Sequence, residues 1–176
     1  MLNKLKKIKP KHILEMLVIL ISFIPGMILR LIKRDIWIVA ENGDDAKDNG
    51  YAFFKYAMEN KSKKDIYYVI TKKSIYYDKL KKYNKNLLYK NSLKHNIYTI
   101  ASTKYISSQI GSGLPFPELV FNFQGTFIYR FKSIFLQHGI TQNKVQCLLK
   151  NESKVDLFCC AGNKEYDFVI NELGYN

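Results

Sequence analysis

Six short apolar or extended runs, each five to eight residues long, recur through the chain: "IWIVAE" from Ile36, "IYYVIT" from Ile66, "NLLYK" from Asn86, "YISSQI" from Tyr105, "SIFLQHG" from Ser133 and "VDLFCCAG" from Val155. Between most of them lie segments of helical period. "YAFFKYAMENK" sets Ala52, Phe53, Tyr56 and Ala57 on one helical face, "SIYYDKLKKY" reads as a helix, and "SLKHNIYTIASTK" starts at Ser92, a residue suited to capping. "NKEYDFVINELG" reads as a helix ending at Gly174, and "GSGLPFPE" as a break. Strands alternating with helices in this way cannot pair as hairpins. They demand crossovers, so the expected fold is α/β, Rossmann-like, with a mostly parallel sheet and helices on both faces. At 176 residues with 47% apolar content, the chain can bury one domain's core.

The segment before this pattern is different. "HILEMLVILISFIPGMILRLIKR", His12 to Arg34, carries one charge, Glu15, between Ile13 and Leu29, and Pro25-Gly26 interrupts it. Of the net charge of +13, +7 falls in residues 1–34, where Lys4, Lys6, Lys7, Lys9, Lys11, Arg30, Lys33 and Arg34 oppose a lone carboxylate. No small-x-small cleavage site precedes Arg30, which argues against a signal peptide. A spanning helix needs ~20 apolar residues, and this run is shorter and broken. The expectation is a helix-break-helix lying in the membrane interface, with a single span as the alternative. Lys4, Lys6, Lys7, Lys11, Arg30, Lys33 and Arg34 are the candidate contacts to anionic headgroups. Residues 1–34 are thus read as a membrane-associating segment and 35–176 as the α/β domain. The localisation expected is peripheral, on the cytoplasmic face.

In an open α/β sheet, ligands bind beyond the carboxyl ends of the strands. Gln137-His138-Gly139 stands at one such end, and Glu41 with "NGDDAKDNG" at another. An imidazole there, with an ordinary pKa of ~6.5, can accept a proton from an attacking hydroxyl. The glycine after it either takes a positive φ or admits a ligand to the backbone. Asp44, Asp45 and Asp48 miss the spacing of a calcium loop, and Asp48 is better placed to cap the helix near Tyr51. No phosphate-loop, dinucleotide or zinc motif is present, so neither cofactor nor metal is expected. Cys147, Cys159 and Cys160 read as reduced core cysteines, and His12 and His95 as structural or solvated.

"WIVAENGDDAKDNGYAFFKY", "FLQHGIT" and "VDLFCCAGNKEYDFVINELGY", in that order, resemble the CDP-glycerol glycerophosphotransferases of teichoic acid and related polymer synthesis, from about Trp37 to Tyr175. The resemblance implies a GT-B architecture of two Rossmann-like domains facing a cleft, of which this chain is the N-terminal, acceptor-side one. It implies His138 as general base and Glu41, Asp48, Asn49, Gly139 and Thr141 as substrate contacts. The implied partners are CDP-glycerol, a polymer or lipid-linked acceptor, and an anionic membrane surface. The donor half is expected beyond Asn176, so residues 1–176 alone are expected to bind CDP-glycerol poorly and to be inactive. The competing classes are another GT-B nucleotide-sugar transferase and a non-enzymatic module bound to membrane or nucleic acid. Nucleic acid is not expected, because most aromatics fall within core patterns.

Overall fold

The computed structural model describes residues 10–137, 139 and 143–176. Helix α1 (Pro10–Ile32) leads into β1 (Ile36–Ala40), α2 (Asn49–Glu59), β2 (Asp65–Ile70) and the short α3 (Tyr77–Leu80), which continues as a 3₁₀ turn, Lys81–Asn86. Then come β3 (Leu87–Tyr89), α4 (Leu93–Ala101), β4 (Lys104–Ser107), α5 (Pro117–Phe123) and β5 (Lys132–Leu136). A 3₁₀ turn (Gln146–Leu148), α6 (Lys150–Ser153), β6 (Leu157–Cys159) and α7 (Asn163–Leu173) complete the order. The six strands form one sheet, β3-β2-β1-β4-β5-β6, and every pairing is parallel. That is the order of doubly wound, Rossmann-type sheets, with its reversal between β1 and β4.

Strand parity divides the core. Ile36, Ile38 and Ala40 of β1 face a cluster with Ile100 of α4 and Val120 of α5, whereas Val39 faces Phe54 and Ala57 of α2 and Leu80 of α3. A third cluster joins Phe135 of β5 to Val169 and Leu173 of α7. The expected α/β fold is therefore what the chain adopts.

Local departures have physical causes. The buried face of α2 is Gly50, Phe54 and Ala57, while Tyr56 is 67% exposed, so the helix is rotated from the face expected. α5 begins at the end of what reads as a break because Pro117 fits a first helical turn, entered from Phe116 at φ 47°. The three cysteines are free, but Cys147 is exposed and Cys159 and Cys160 are half-buried rather than core.

The largest departure is α1, which runs unbroken through Pro25-Gly26. A proline inside a helix costs ~3 kcal/mol or more by itself. Here its ring lies on the exposed side, and packing of the opposite side on α4 offsets the cost. Gly26 permits that packing, since a Cβ there would stand 2.6 Å from Ile100 Cγ2 and 3.1 Å from the Ile97 carbonyl oxygen. Lys11 and His12 reach Glu118 of α5 at 3.2 and 3.0 Å. Beyond the other end, Lys33 Nζ donates to Asp65 at 2.6 Å and to Tyr67 at 3.0 Å.

Candidate active site

The carboxyl edge of the sheet is organised first by Glu41, which follows β1 and is fully buried. Its carboxylate accepts from the backbone N–H groups of Lys47 at 3.1 Å, Asp48 at 2.9 Å and Tyr51 at 3.0 Å. It therefore folds the acidic loop back onto the strand and fixes where α2 begins. Hydrogen bonds donated by amides to a charged acceptor are about twice as strong as neutral ones, which suits a carboxylate buried here. Gly50 lets α2 approach, its Cα so close that a Cβ would stand 3.0 Å from the Ala40 carbonyl oxygen.

The rest of that loop builds itself. Asn42 Oδ1 accepts from the Asp44 and Asp45 amides at 2.7 and 2.8 Å, Thr71 donates to Asp44 at 2.7 Å, and Lys90 donates to the Asn42 carbonyl at 2.6 Å. Asp48 caps α2, accepting from the Asn49 amide at 2.7 Å. Among the described residues no cluster of acidic, histidine or cysteine side chains could hold a metal.

Asn49 makes the connection that matters most. Its side-chain amide donates to the backbone carbonyl of Gln137, reaching from the first residue of α2 to the end of β5 across the intervening β4. Gln137 is buried and donates in turn to Glu165 at 3.0 Å, while the other oxygen of Glu165 accepts from the Ala161 amide at 2.6 Å. Glu165 is 3% exposed and sits at the third position of α7. The sequence reading passed over it. Its signal is the spacing Gly162-x-x-Glu165, in which a carboxylate three residues into a helix reaches back to the entering backbone.

These contacts frame a cavity of about 470 Å³ lined by Asn49, Phe53, Leu136, Gln137, Gly139, Cys159, Cys160 and Ala161. It opens on the side of the sheet that α2 covers over β1 and β2 but leaves bare over β5 and β6, where Ile134 and Leu136 are half-buried and Leu157 is 54% exposed. Burial, and for Cys160 also Glu165 and Cys159, raises both thiol pKa values above the ordinary range, so the cysteines line the cavity as neutral groups. Among the described residues, nothing lies within 4 Å of where a Cβ on Gly139 would be. Of the two roles open to it, free access to the backbone is the one this geometry suits.

The crevice at the β1/β4 reversal, where such sheets usually take a ligand, is filled by the chain itself. A Cβ on Gly113 would stand 2.3 Å from Ala40 Cβ and 2.6 Å from Tyr105 Oη. The open space is thus displaced toward β5 and β6.

The sequence-predicted residues divide accordingly. Asn49 and Gly139 line the cavity, whereas Glu41 and Asp48 support it from behind. His138 and Thr141 lie outside the described residues, as do Lys4, Lys6 and Lys7. Of the remaining predicted headgroup contacts, Arg34 is exposed, but Lys11 and Lys33 are engaged by carboxylates and Arg30 donates to the Ile100 carbonyl. Arg30 and Lys33 are turned inward, because α1 presents that side to α4 and β2.

Fold and cleft together define a doubly wound α/β domain with a ligand-sized opening at the carboxyl edge of β5 and β6. No family model and no solved structure matches the chain. It is 33% identical over 141 residues to the minor teichoic acid biosynthesis protein GgaB of Bacillus subtilis (strain 168), an alignment covering 78% of this chain. The chain is homologous to a teichoic acid biosynthesis protein, and the resemblance to the CDP-glycerol glycerophosphotransferase family holds. It spans 15% of the length of that relative.

Proposed function

We propose that the chain is the acceptor-side domain of a GT-B-type glycerophosphotransferase, which moves glycerol phosphate from CDP-glycerol to a hydroxyl of a lipid-linked or polymer acceptor. The observation that carries this reading is the Asn49 bond to the Gln137 carbonyl. It joins the two distinctive sequence blocks, D-N-G at the start of α2 and L-Q-H-G at the end of β5, at one cavity. Both anchors of the backbone before His138, Asn49 and Glu165, are themselves fixed by helix starts. In this reading His138 accepts the proton as the acceptor oxygen forms its bond to the β-phosphorus of CDP-glycerol. The bond from that phosphorus to the bridging oxygen breaks, and CMP leaves with the electron pair. Among the described residues nothing in the cavity wall supplies cationic stabilisation to the phosphoryl oxygens, so that role and donor binding are assigned to the second domain of the architecture.

We further infer that α1 holds the domain at the cytoplasmic face of a membrane as an interfacial helix. α1 has the length and composition to cross a bilayer. Its packing on α4 supports the interfacial alternative, because a span would draw α4, with its buried His95 and Asn96, into hydrocarbon.

The test is single-turnover transfer of labelled glycerol phosphate by a complete enzyme carrying this domain. His138→Ala is expected to slow transfer ~10²–10⁴-fold, the usual worth of a general base, with the melting temperature unchanged. Transfer at the wild-type rate would overturn the assignment.

A further inference from the structure

α1 turns a broad apolar face outward. Leu17, Leu20, Ile21, Ile24, Ile28 and Leu31 are each 49% exposed or more. A second element extends that face. Residues 124–129 form a tight loop closed by the Gly125 N–H donating to the Tyr129 carbonyl at 2.9 Å, with Phe127 at its tip, 61% exposed. The Phe127 ring meets Phe23 of α1 edge-on, at 5.8 Å between centroids. Together the loop and α1 wall an open groove of about 720 Å³, whose described lining residues are all apolar and include Leu20, Phe23, Phe123 and Phe127.

The other side of the same loop has the opposite chemistry. There Gln124, Gly125 and Arg130 wall a cavity of about 430 Å³ that Lys132, Lys150 and Lys154 complete, with Asp156 the one carboxylate among its described lining residues. Asp156 pairs with Lys132 at 3.1 Å, and Lys150 and Lys154 donate to backbone carbonyls, which do not cancel their charge. Arg130 is exposed. Behind it, Arg30 has two buried nitrogens, Nε and Nη1, without a hydrogen-bond partner among the described residues, and lies near enough to Arg130 for the two guanidinium charges to repel. An apolar groove and an under-neutralised cationic cavity thus share one thin wall with an exposed phenylalanine on its crest.

We propose that this face is a docking surface for an anionic phospholipid leaflet, with Phe127 inserted among the acyl chains beside α1 and headgroup phosphates held by Arg130 and Lys132. The proposal rests on the interfacial reading of α1 and adds to it a second, loop-borne contact that gives lipid-charge selectivity. Side by side, apolar and cationic surfaces match the boundary between acyl chains and phosphates. A protein partner meeting the apolar groove alone would leave the cations unanswered.

The experiment uses the full chain and vesicles of either phosphatidylglycerol or phosphatidylcholine. Phe127→Trp is expected to show a blue-shifted emission with phosphatidylglycerol only, and quenching by brominated acyl chains, against the unshifted background of Trp37. Arg130→Gln and Lys132→Gln are expected each to weaken phosphatidylglycerol binding about fivefold, at ~1 kcal/mol per charge near the surface. Both side chains are exposed, and an unchanged melt checks that the variants fold. If the chain binds vesicles but the emission of the Phe127→Trp variant stays put and the charge variants bind normally, this surface is wrong while the α1 anchor stands. If the wild-type chain does not bind phosphatidylglycerol at all, both fail. Binding of soluble polyphosphate that the charge variants abolish, with vesicle binding untouched, would reassign the cavity to a polymer and overturn the lipid.

Discussion

The glycines at the carboxyl edge of the sheet and the helix laid against its side are built by opposite rules. At the edge, a Cβ on Gly113 would collide with Ala40 Cβ and Tyr105 Oη and one on Gly50 would crowd the Ala40 carbonyl oxygen, and a buried carboxylate fixes the loop between β1 and α2. At Gly139, past the end of β5, no atom of the described residues stands within 4 Å of where a Cβ would be. Along α1, the strip that holds Ile19, Ser22 and Gly26 is buried against the domain, while Leu20, Ile21, Ile24 and Leu31 face outward. The lesson is that close packing is concentrated where two chain segments meet at the sheet edge, and open apolar surface where we propose that the molecule meets a membrane.

One substitution made at two places gives the sharpest contrast. Gly113→Ala should destabilise the domain by roughly 1–3 kcal/mol, since its methyl must displace Ala40 or Tyr105, whereas Gly139→Ala should change stability by less than about 0.5 kcal/mol. Denaturant melts of the two variants measure the difference, and equal losses would mean that the edge is not divided into a packed crevice and an open one.

A smaller effect tests the rigid part alone. His95 is fully buried in α4, and its Nδ1 accepts from the Asn91 N–H at 3.2 Å, which requires the neutral ring. Burial, then Lys90, lowers its pKa to about 3, against ~6.5 in the unfolded chain. Between these values the unfolded state binds the extra proton, so stability rises with pH across that window and falls as pH drops below about 6.5. Unfolding free energy is expected to fall on the order of 1–2 kcal/mol from pH 7 to pH 5, and His95→Gln should flatten that slope. A slope unchanged in the variant would place the proton elsewhere.

The smallest effect on stability comes from the outward face. Leu20→Ser with Ile24→Ser should lower the unfolding free energy hardly at all, by about 0.5 kcal/mol or less for each exposed side chain, yet reduce the salt-resistant fraction bound to vesicles. A large loss of stability would mean that this face is covered within the protein.

Much of this was legible in order of residues. The six apolar runs became six strands at or near their expected places, Ser92 caps α4 with its hydroxyl on the His95 amide, Asp48 caps α2, and Gly174 ends α7 at φ 79°. These are local matters, decided by side-chain period and by the few residues that can close a helix end. The two sequence blocks proposed for the site were legible as well, though not their meeting.

What the sequence could not decide was how distant segments would compensate for one another. Pro25-Gly26 ought to break a helix, and does not, because α4 packs against it so closely that only a glycine fits at position 26. Glu165 was an unremarked charge until β5 brought Gln137 against it. Asn49 and Gln137 lie 88 residues apart, and their contact exists only because the strand order places β5 next but one to β1, across β4. Period and capping energies act over one helical turn. The crossovers of a parallel sheet act over tens of residues, so the strands were determined by the sequence read locally, while the cavity and the outward face of α1 were decided by tertiary packing.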